Sequence, residues 1–209
     1  MQNSIPTVTV GSFLEHARQQ TQLTLLAGGD YLDNVIQEEA INRPGLALAE
    51  FYQYFANKRI QVFGLAEMSY LKSLPKPERE IRVEGMFQQD IPCVVLTRNR
   101  NLIPELERMS QKYKVPILRS PLITSRFINL ATLSMESLVA PILKYVGTMM
   151  DVMGTGVLIE GPPGIGKSEA ALGLIERGFS LVADDLTVVH RDSHSRLICT
   201  SSELTRFHM

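Results

Sequence analysis

With 209 residues, 44% of them hydrophobic and 21% charged, the chain is long enough for one large or two small domains with cores of their own, which excludes global disorder. Its 21 basic and 22 acidic side chains leave a formal net charge of -1, so no surplus of positive charge is available to displace counterions, and nucleic acid is excluded as a partner class. No apolar run approaches the roughly 18 residues that span a membrane, and the first residues lack the basic-then-apolar order of a leader, so a soluble cytoplasmic protein is expected.

Thr7 to Val10 reads as a short strand, and Ser12 with Glu15 as a capping box opening a helix to about Gln20. Leu23 to Leu26 reads as a strand, turned by Gly28-Gly29-Asp30. After the break at Pro44-Gly45, Leu46, Ala49, Phe51, Tyr52 and Phe55 stand at helical spacing and predict one apolar face packed as core. Arg59 to Phe63 alternates like a half-buried strand, and Leu65 to Leu74 returns to helix. Pro75-Lys76-Pro77 reads as a loop, and Glu78 to Gln88 as a charged helix with a solvated face.

Ile91 to Leu96 is an apolar run suited to a strand covered on both sides. Pro104 fits the first position of a helix to about Tyr113, because its missing N–H costs nothing there. Val115 to Leu118 follows as a strand, and strand, helix, strand in that order predicts a parallel α/β unit. Thr124 to Val139 completes it as a long amphipathic helix, with a domain boundary near Ala140-Pro141. Arg98, Arg100, Arg119 and Arg126 read either as an anion site, since two of them follow strands, or as ordinary surface charge, the blander and preferred choice. Cys93 and Cys199 each sit in an apolar run, which suits buried thiols in a reducing compartment and leaves a bridge between them open.

Val157 to Glu160 reads as a short buried strand running into Gly161-Pro162-Pro163-Gly164-Ile165-Gly166-Lys167-Ser168, which is G-x-x-x-x-G-K-S. Glycines at these places let backbone N–H groups turn inward around phosphate oxygens at the start of the next helix, Ser168 to Arg177, closed by Gly178. Lys167 would reach the β and γ phosphates of ATP, and the Ser168 hydroxyl would serve Mg²⁺. Leu181 to Asp185 reads as an apolar strand ending in two carboxylates, of which only one can face the phosphates. His190 and His194, four apart, would suit a metal only on a helix, whereas Arg191-Asp192-Ser193 reads as a turn. His16 and His208 are isolated.

Gly156 to Gly161, Gly164 to Glu169 and Arg177 to Asp185 together resemble HPr kinase/phosphorylase, a bacterial family. The likeness extends through Asn42 to Leu46, Arg59 to Gln61, Asp90 to Cys93, Val115 to Ser120 and Ala140-Pro141, nearly the whole chain. The resemblance implies an N-terminal α/β domain (1–140) followed by a P-loop kinase domain (141–209) that reads as incomplete. It implies ATP-dependent phosphorylation of a serine of HPr, the phosphocarrier of the sugar phosphotransferase system, reversed by phosphorolysis, in a homo-oligomer that is a hexamer in the family. Gly161 to Ser168 would bind nucleotide, Lys167 would be catalytic, and Ser168 would ligate Mg²⁺. Asp185 would exchange the proton of the attacking serine, with Asp184 as its neighbour. Val146 stands where the family has a catalytic histidine and can move no proton. The chain stops before the family's acidic metal ligand, Leu204 to Met209 reads as a helix cut at its start, and this piece alone is expected to be weakly active or inactive. A non-catalytic nucleotide-binding relative and a kinase of a small metabolite stand as the alternatives.

Overall fold

The computed structural model describes residues 7–140, 142–191 and 196–201. They divide into two compact units, 7–139 and one from Ala140 onward. In the first, a five-stranded sheet is ordered β2 (Thr24–Ala27), β7 (Ile117–Arg119), β6 (Val94–Leu96), β5 (Ile60–Phe63), β4 (Ile41–Asn42). The last four strands run parallel, and β2 is antiparallel at one edge. A separate antiparallel pair joins β1 (Val8–Thr9) to β3 (Val35–Ile36).

Alternation along the central strands splits the core in two. Phe63, Val94, Leu96 and Ile117 pack with Val83, Phe87 and Leu106 on one face. Ile60, Val62, Val95 and Leu118 pack with Phe13, Phe127 and Met135 on the other. Hence α4 (Lys76–Phe87) and α5 (Pro104–Tyr113) cover the first face, while α1 (Val10–Thr21) and α6 (Thr124–Val139) cover the second. A sheet sealed on both sides needs continuous apolar strands, and all four residues of β5 are buried, against the half-buried alternation expected there. Gln61 is tolerated because its amide is saturated: its Oε1 accepts from Asn42, and its Nε2 donates to the carbonyls of Ala56 and Arg59.

Helices α5 and α6 start and end where Pro104 and the apolar spacing place them. Elsewhere the local chemistry differs from expectation. The strand expected over Thr7 to Val10 is limited to Val8 and Thr9, and α1 opens on Thr9, not Ser12. The Thr9 hydroxyl accepts from the Ser12 amide, and the Ser12 hydroxyl reaches back to the Thr9 amide. Pro75-Lys76-Pro77 is no loop: α4 begins at Lys76, with proline in its first turn where no N–H partner is lost. Its charges also do more than face water, since Glu80 pairs with Arg108 and Glu84 with Lys112, tying α4 to α5. The helix expected through Phe55 stops after four residues as α2 (Gly45–Leu48). Glu50 and Tyr54 take left-handed φ of 66° and 65°, which no helix carries, and Leu46 and Phe51 are exposed. Between α2 and α4 lies α3 (Leu65–Ser73).

The second unit holds two three-stranded antiparallel sheets. One is ordered β10 (Thr155–Ile159), β9 (Thr148–Val152), β11 (Ser180–Ala183), and the other β13 (Leu197–Ser201), β12 (Leu186–Arg191), β8 (Ile142–Val146). A two-residue hairpin links β9 to β10. Met153 and Gly154 both have positive φ, the backbone twist such hairpins require, and the Asp151 carboxylate accepts from the Gly154 amide. The single helix described here is α7 (Lys167–Ile175), with Ala171 buried and Leu172 and Ile175 exposed. The strand before the glycine loop is not buried: Val157 is exposed, and Leu158 and Ile159 are half-buried. Leu204 to Met209, His194 and His208 lie outside the described residues.

Candidate active site

Two chain crossings define the site. Between β8 and β9 the chain leaves one sheet for the other at Gly147, and between β11 and β12 it does the same at Asp184-Asp185. The crossings are laced together. The Gly147 amide donates to the Asp185 carbonyl at 3.1 Å, the Thr187 hydroxyl to the Gly147 carbonyl at 3.3 Å, and the Thr148 hydroxyl to Asp184 Oδ1 at 2.8 Å. Thr148 and Thr187 are buried, so these hydroxyls need the partners they have.

Both carboxylates lie past the end of β11, so they are not alternating strand residues as expected. Asp184 bends the chain, its carbonyl accepting from Leu186 at 2.7 Å, and its Oδ1 also receives the Asp185 amide at 3.1 Å. Asp185 has φ 64°, a left-handed conformation that Asp tolerates better than most side chains. Its carboxylate is exposed and has no hydrogen-bond partner among the described residues. Thus Asp184 is spent on holding the bend, and Asp185 is left for other work.

On the far side of Gly147, β10 delivers the glycine loop. The backbone is left-handed at Gly164 (φ 79°) and Gly166 (φ 103°), the latter immediately before α7. The amides of Gly164, Gly166, Lys167 and Ser168 donate to no backbone acceptor among the described residues, so the loop and first helical turn present a row of free N–H groups. Lys167 Nζ folds back onto the carbonyls of Gly161 (2.9 Å) and Pro162 (3.1 Å), keeping the ammonium over the same loop. Ser168 is exposed on the first turn of α7.

Strand direction brings these parts to one edge. β10 and β11 are both antiparallel to β9, hence parallel to each other, and both end at the edge where β9 begins. With strands spaced at about 4.8 Å, their ends stand roughly 10 Å apart. No hydrogen bond or ion pair joins Asp184 or Asp185 to Lys167 or Ser168 among the described residues, and that spacing leaves room for a phosphate chain between them.

Gly147 was not singled out by sequence, yet it is the spacer. A Cβ there would stand 2.8 Å from the Ile159 carbonyl oxygen and 3.3 Å from Glu160 Cγ, at the root of the glycine loop. Nothing in a lone glycine between two apolar runs announces that. Val146 is exposed and pairs with Leu186 in the β8–β12 register, next to Asp185. Of the histidine pair, His190 lies on β12, a strand, and His194 lies outside the described residues. Among the described residues no three His, Cys, Asp or Glu side chains gather for a metal. Mg²⁺ needs fewer protein ligands, because substrate phosphates and water complete its shell, and the exposed Ser168 hydroxyl is a ligand that the loop itself would supply. Both cysteines are free, Cys93 buried in the first unit and Cys199 half-buried in the second.

Residues 8–135 match the model described as HPr Serine kinase N terminus, and residues 137–209 the HPr Serine kinase C-terminal domain. The chain belongs to the HPr serine kinase family. It is 39% identical to the HPr kinase/phosphorylase of Caldicellulosiruptor bescii over 95% of this chain and 63% of that protein. Identity is 39% to the one from Brevibacillus brevis, over 91% of this chain and 61% of the relative. It is 36% to the one from Bacillus subtilis, over 89% and 60%. The chain therefore spans about six-tenths of the length of these curated relatives. A solved structure of the CBS and DRTGG domains of a Clostridium perfringens pyrophosphatase matches with a TM-score of 0.41 at 11% identity, over 64% of this chain and 52% of that one, too distant to bear on function.

Proposed function

We propose that this protein transfers the γ-phosphoryl group of ATP to a serine hydroxyl of HPr and, in reverse, releases it to inorganic phosphate. Membership of the HPr serine kinase family supports this, as do relatives named HPr kinase/phosphorylase. The observation that carries it is the meeting at one sheet edge of a free-amide glycine loop and an unengaged carboxylate. In this reading 161–168 is a phosphate-binding loop. Its N–H groups take the phosphate oxygens of the nucleotide, and Lys167 leaves the loop carbonyls to neutralise the moving phosphoryl group. Ser168 would hold Mg²⁺, which would supply positive charge to offset that of the phosphates. Asp185 accepts the serine proton as its oxygen bonds to phosphorus, the bond to the β-phosphate oxygen breaks, and ADP leaves with that electron pair. In phosphorolysis a phosphate oxygen attacks the seryl phosphate, the seryl oxygen departs, and Asp185 returns its proton, leaving pyrophosphate. Val146 has no proton to exchange, so Asp185 handles both directions.

No helix among the described residues is long and apolar enough to cross a membrane; a cytoplasmic location shared with HPr is part of the proposed reading. A homo-oligomer, the hexamer implied by the family resemblance, belongs to the same reading. The deciding experiment is Asp185→Asn in the whole protein. It keeps the left-handed backbone and side-chain volume, should abolish transfer to HPr, and should leave ATP affinity unchanged. Retained turnover removes Asp185 from this role.

A further inference from the structure

One residue is tied both to the glycine loop and to the aspartate pair. Thr148 opens β9 and is buried. Its backbone stands opposite Ile159 in the β9–β10 register, two residues before Gly161, so it belongs to the ladder from which the glycine loop springs. On its other side β11 leaves the ladder at Ala183, opposite Met149. One more step of that pairing would bring Asp184 opposite Thr148. The chain bends there instead, and the Thr148 hydroxyl donates to Asp184 Oδ1 at 2.8 Å where the strand pairing stops.

What this hydroxyl holds is the peptide that carries Asp185. Asp184 Oδ1 accepts a second hydrogen bond, from the Asp185 amide at 3.1 Å. Asp184 is exposed, and an exposed carboxylate with only water around it exchanges among its staggered rotamers. A donor fixed in a buried strand residue selects one of them, the one that keeps Oδ1 over the Asp185 amide. The other side of Asp185 is held independently, its carbonyl accepting from the Gly147 amide at 3.1 Å.

Asp185 needs support on both sides. Its φ of 64° lies in the left-handed region, where a residue with a side chain persists only if its surroundings over-determine it. Gly147 supplies one restraint, and Thr148, acting through Asp184, supplies the other. Without the hydroxyl, Asp184 turns into water, the Asp185 amide loses its acceptor, and the Asp185 carboxylate loses its fixed direction. The amides of the glycine loop are untouched by that change, because none of them donates to Thr148, Asp184 or Asp185.

We propose that Thr148 is a positioning residue for phosphoryl transfer: its buried hydroxyl, through Asp184, sets the direction of the Asp185 carboxylate relative to the strand that carries the glycine loop. The role rests on the reading of Asp185 as the group that exchanges the serine proton. Thr148 touches neither nucleotide nor serine in this account, so its removal slows turnover and spares binding. Displacing a reacting group by about 1 Å costs on the order of 100-fold in rate, which makes a single second-line hydrogen bond measurable.

The test compares Thr148→Val, which keeps the shape and deletes the hydroxyl, with Thr148→Ser, which keeps the hydroxyl, both in the whole protein. Thr148→Val should lower kcat for HPr phosphorylation by about tenfold or more while KM for ATP and for HPr stay within about twofold, and Thr148→Ser should restore most of the loss. In an Asp184→Ala background Thr148→Val should cost nothing further, because the hydroxyl acts through that carboxylate. Hydrogen exchange at the Asp185 amide, read by mass spectrometry, is independent of turnover and should quicken about tenfold in Thr148→Val and not in Thr148→Ser. Thr148→Ala removes the same hydroxyl and decides the matter if Thr148→Val does not fold. Undiminished kcat, unchanged exchange, a loss that serine does not rescue, or an additive loss in the Asp184→Ala background overturns the proposal. If Asp185→Asn is inactive while Thr148→Val turns over at full rate, only the role of Thr148 fails; if Asp185→Asn itself remains active, the parent reading fails and takes this role with it.

Discussion

Replacing Gly147 by alanine probes the junction on which the site depends. The added Cβ would sit 2.8 Å from the Ile159 carbonyl oxygen, about 0.6 Å short of an ordinary 3.4 Å contact, and 3.1 Å from Leu158 Cδ1. The first obstacle is backbone and cannot rotate away, so β10 must move or the Gly147–Asp185 hydrogen bond must stretch. Overpacking of this size costs about 2 kcal/mol, roughly 30-fold in the ratio of folded to unfolded protein. Urea denaturation should show the midpoint falling by about 1 M, taking a slope near 2 kcal/mol per M for a chain of this length. Because the displacement falls between the loop and Asp185, transfer to HPr in the whole protein should drop by about 10- to 100-fold, with ATP affinity little changed. An unaltered midpoint together with unaltered turnover would refute Gly147 as the spacer.

Lys167→Ala removes the ammonium held over the loop and should weaken ATP binding about 30-fold, corresponding to ~2 kcal/mol for a charged hydrogen bond, as read by calorimetry. Thr9→Ala deletes the hydroxyl that caps α1 and should lower stability by about 1 kcal/mol in chemical denaturation while leaving phosphoryl transfer intact. Burial pushes the Cys93 thiol far above the ordinary cysteine range, so a thiol reagent at pH 8 should label Cys199 first and Cys93 only on unfolding. Fast labelling of Cys93 in the native protein would contradict its burial.

Most of the first unit was legible because its signals are local or periodic. Pro104 marks a helix start by chemistry alone, and the apolar spacing from Thr124 to Val139 is long enough to leave no doubt about period. Thr9 and Ser12 were confused because two hydroxyl residues three apart cap equally well, and only the chain path decides which lies outside the helix. The aromatic stretch after Leu46 kept helical spacing, but left-handed turns at Glu50 and Tyr54 interrupt it, and neither residue type advertises such a turn. Within the site, the glycine pattern and paired aspartates are visible in one dimension. Their meeting through β9, and the part played by Gly147 and Thr148, depend on strand order, which no short motif encodes.

The lacing of the two crossings has a mechanical consequence. Asp185 is tethered through its own carbonyl to the residue that separates the sheets, while the glycine loop springs from a strand of only one of them. Any partner or neighbouring subunit that shears one sheet over the other would therefore shift the carboxylate relative to the cradle, tuning turnover without touching either.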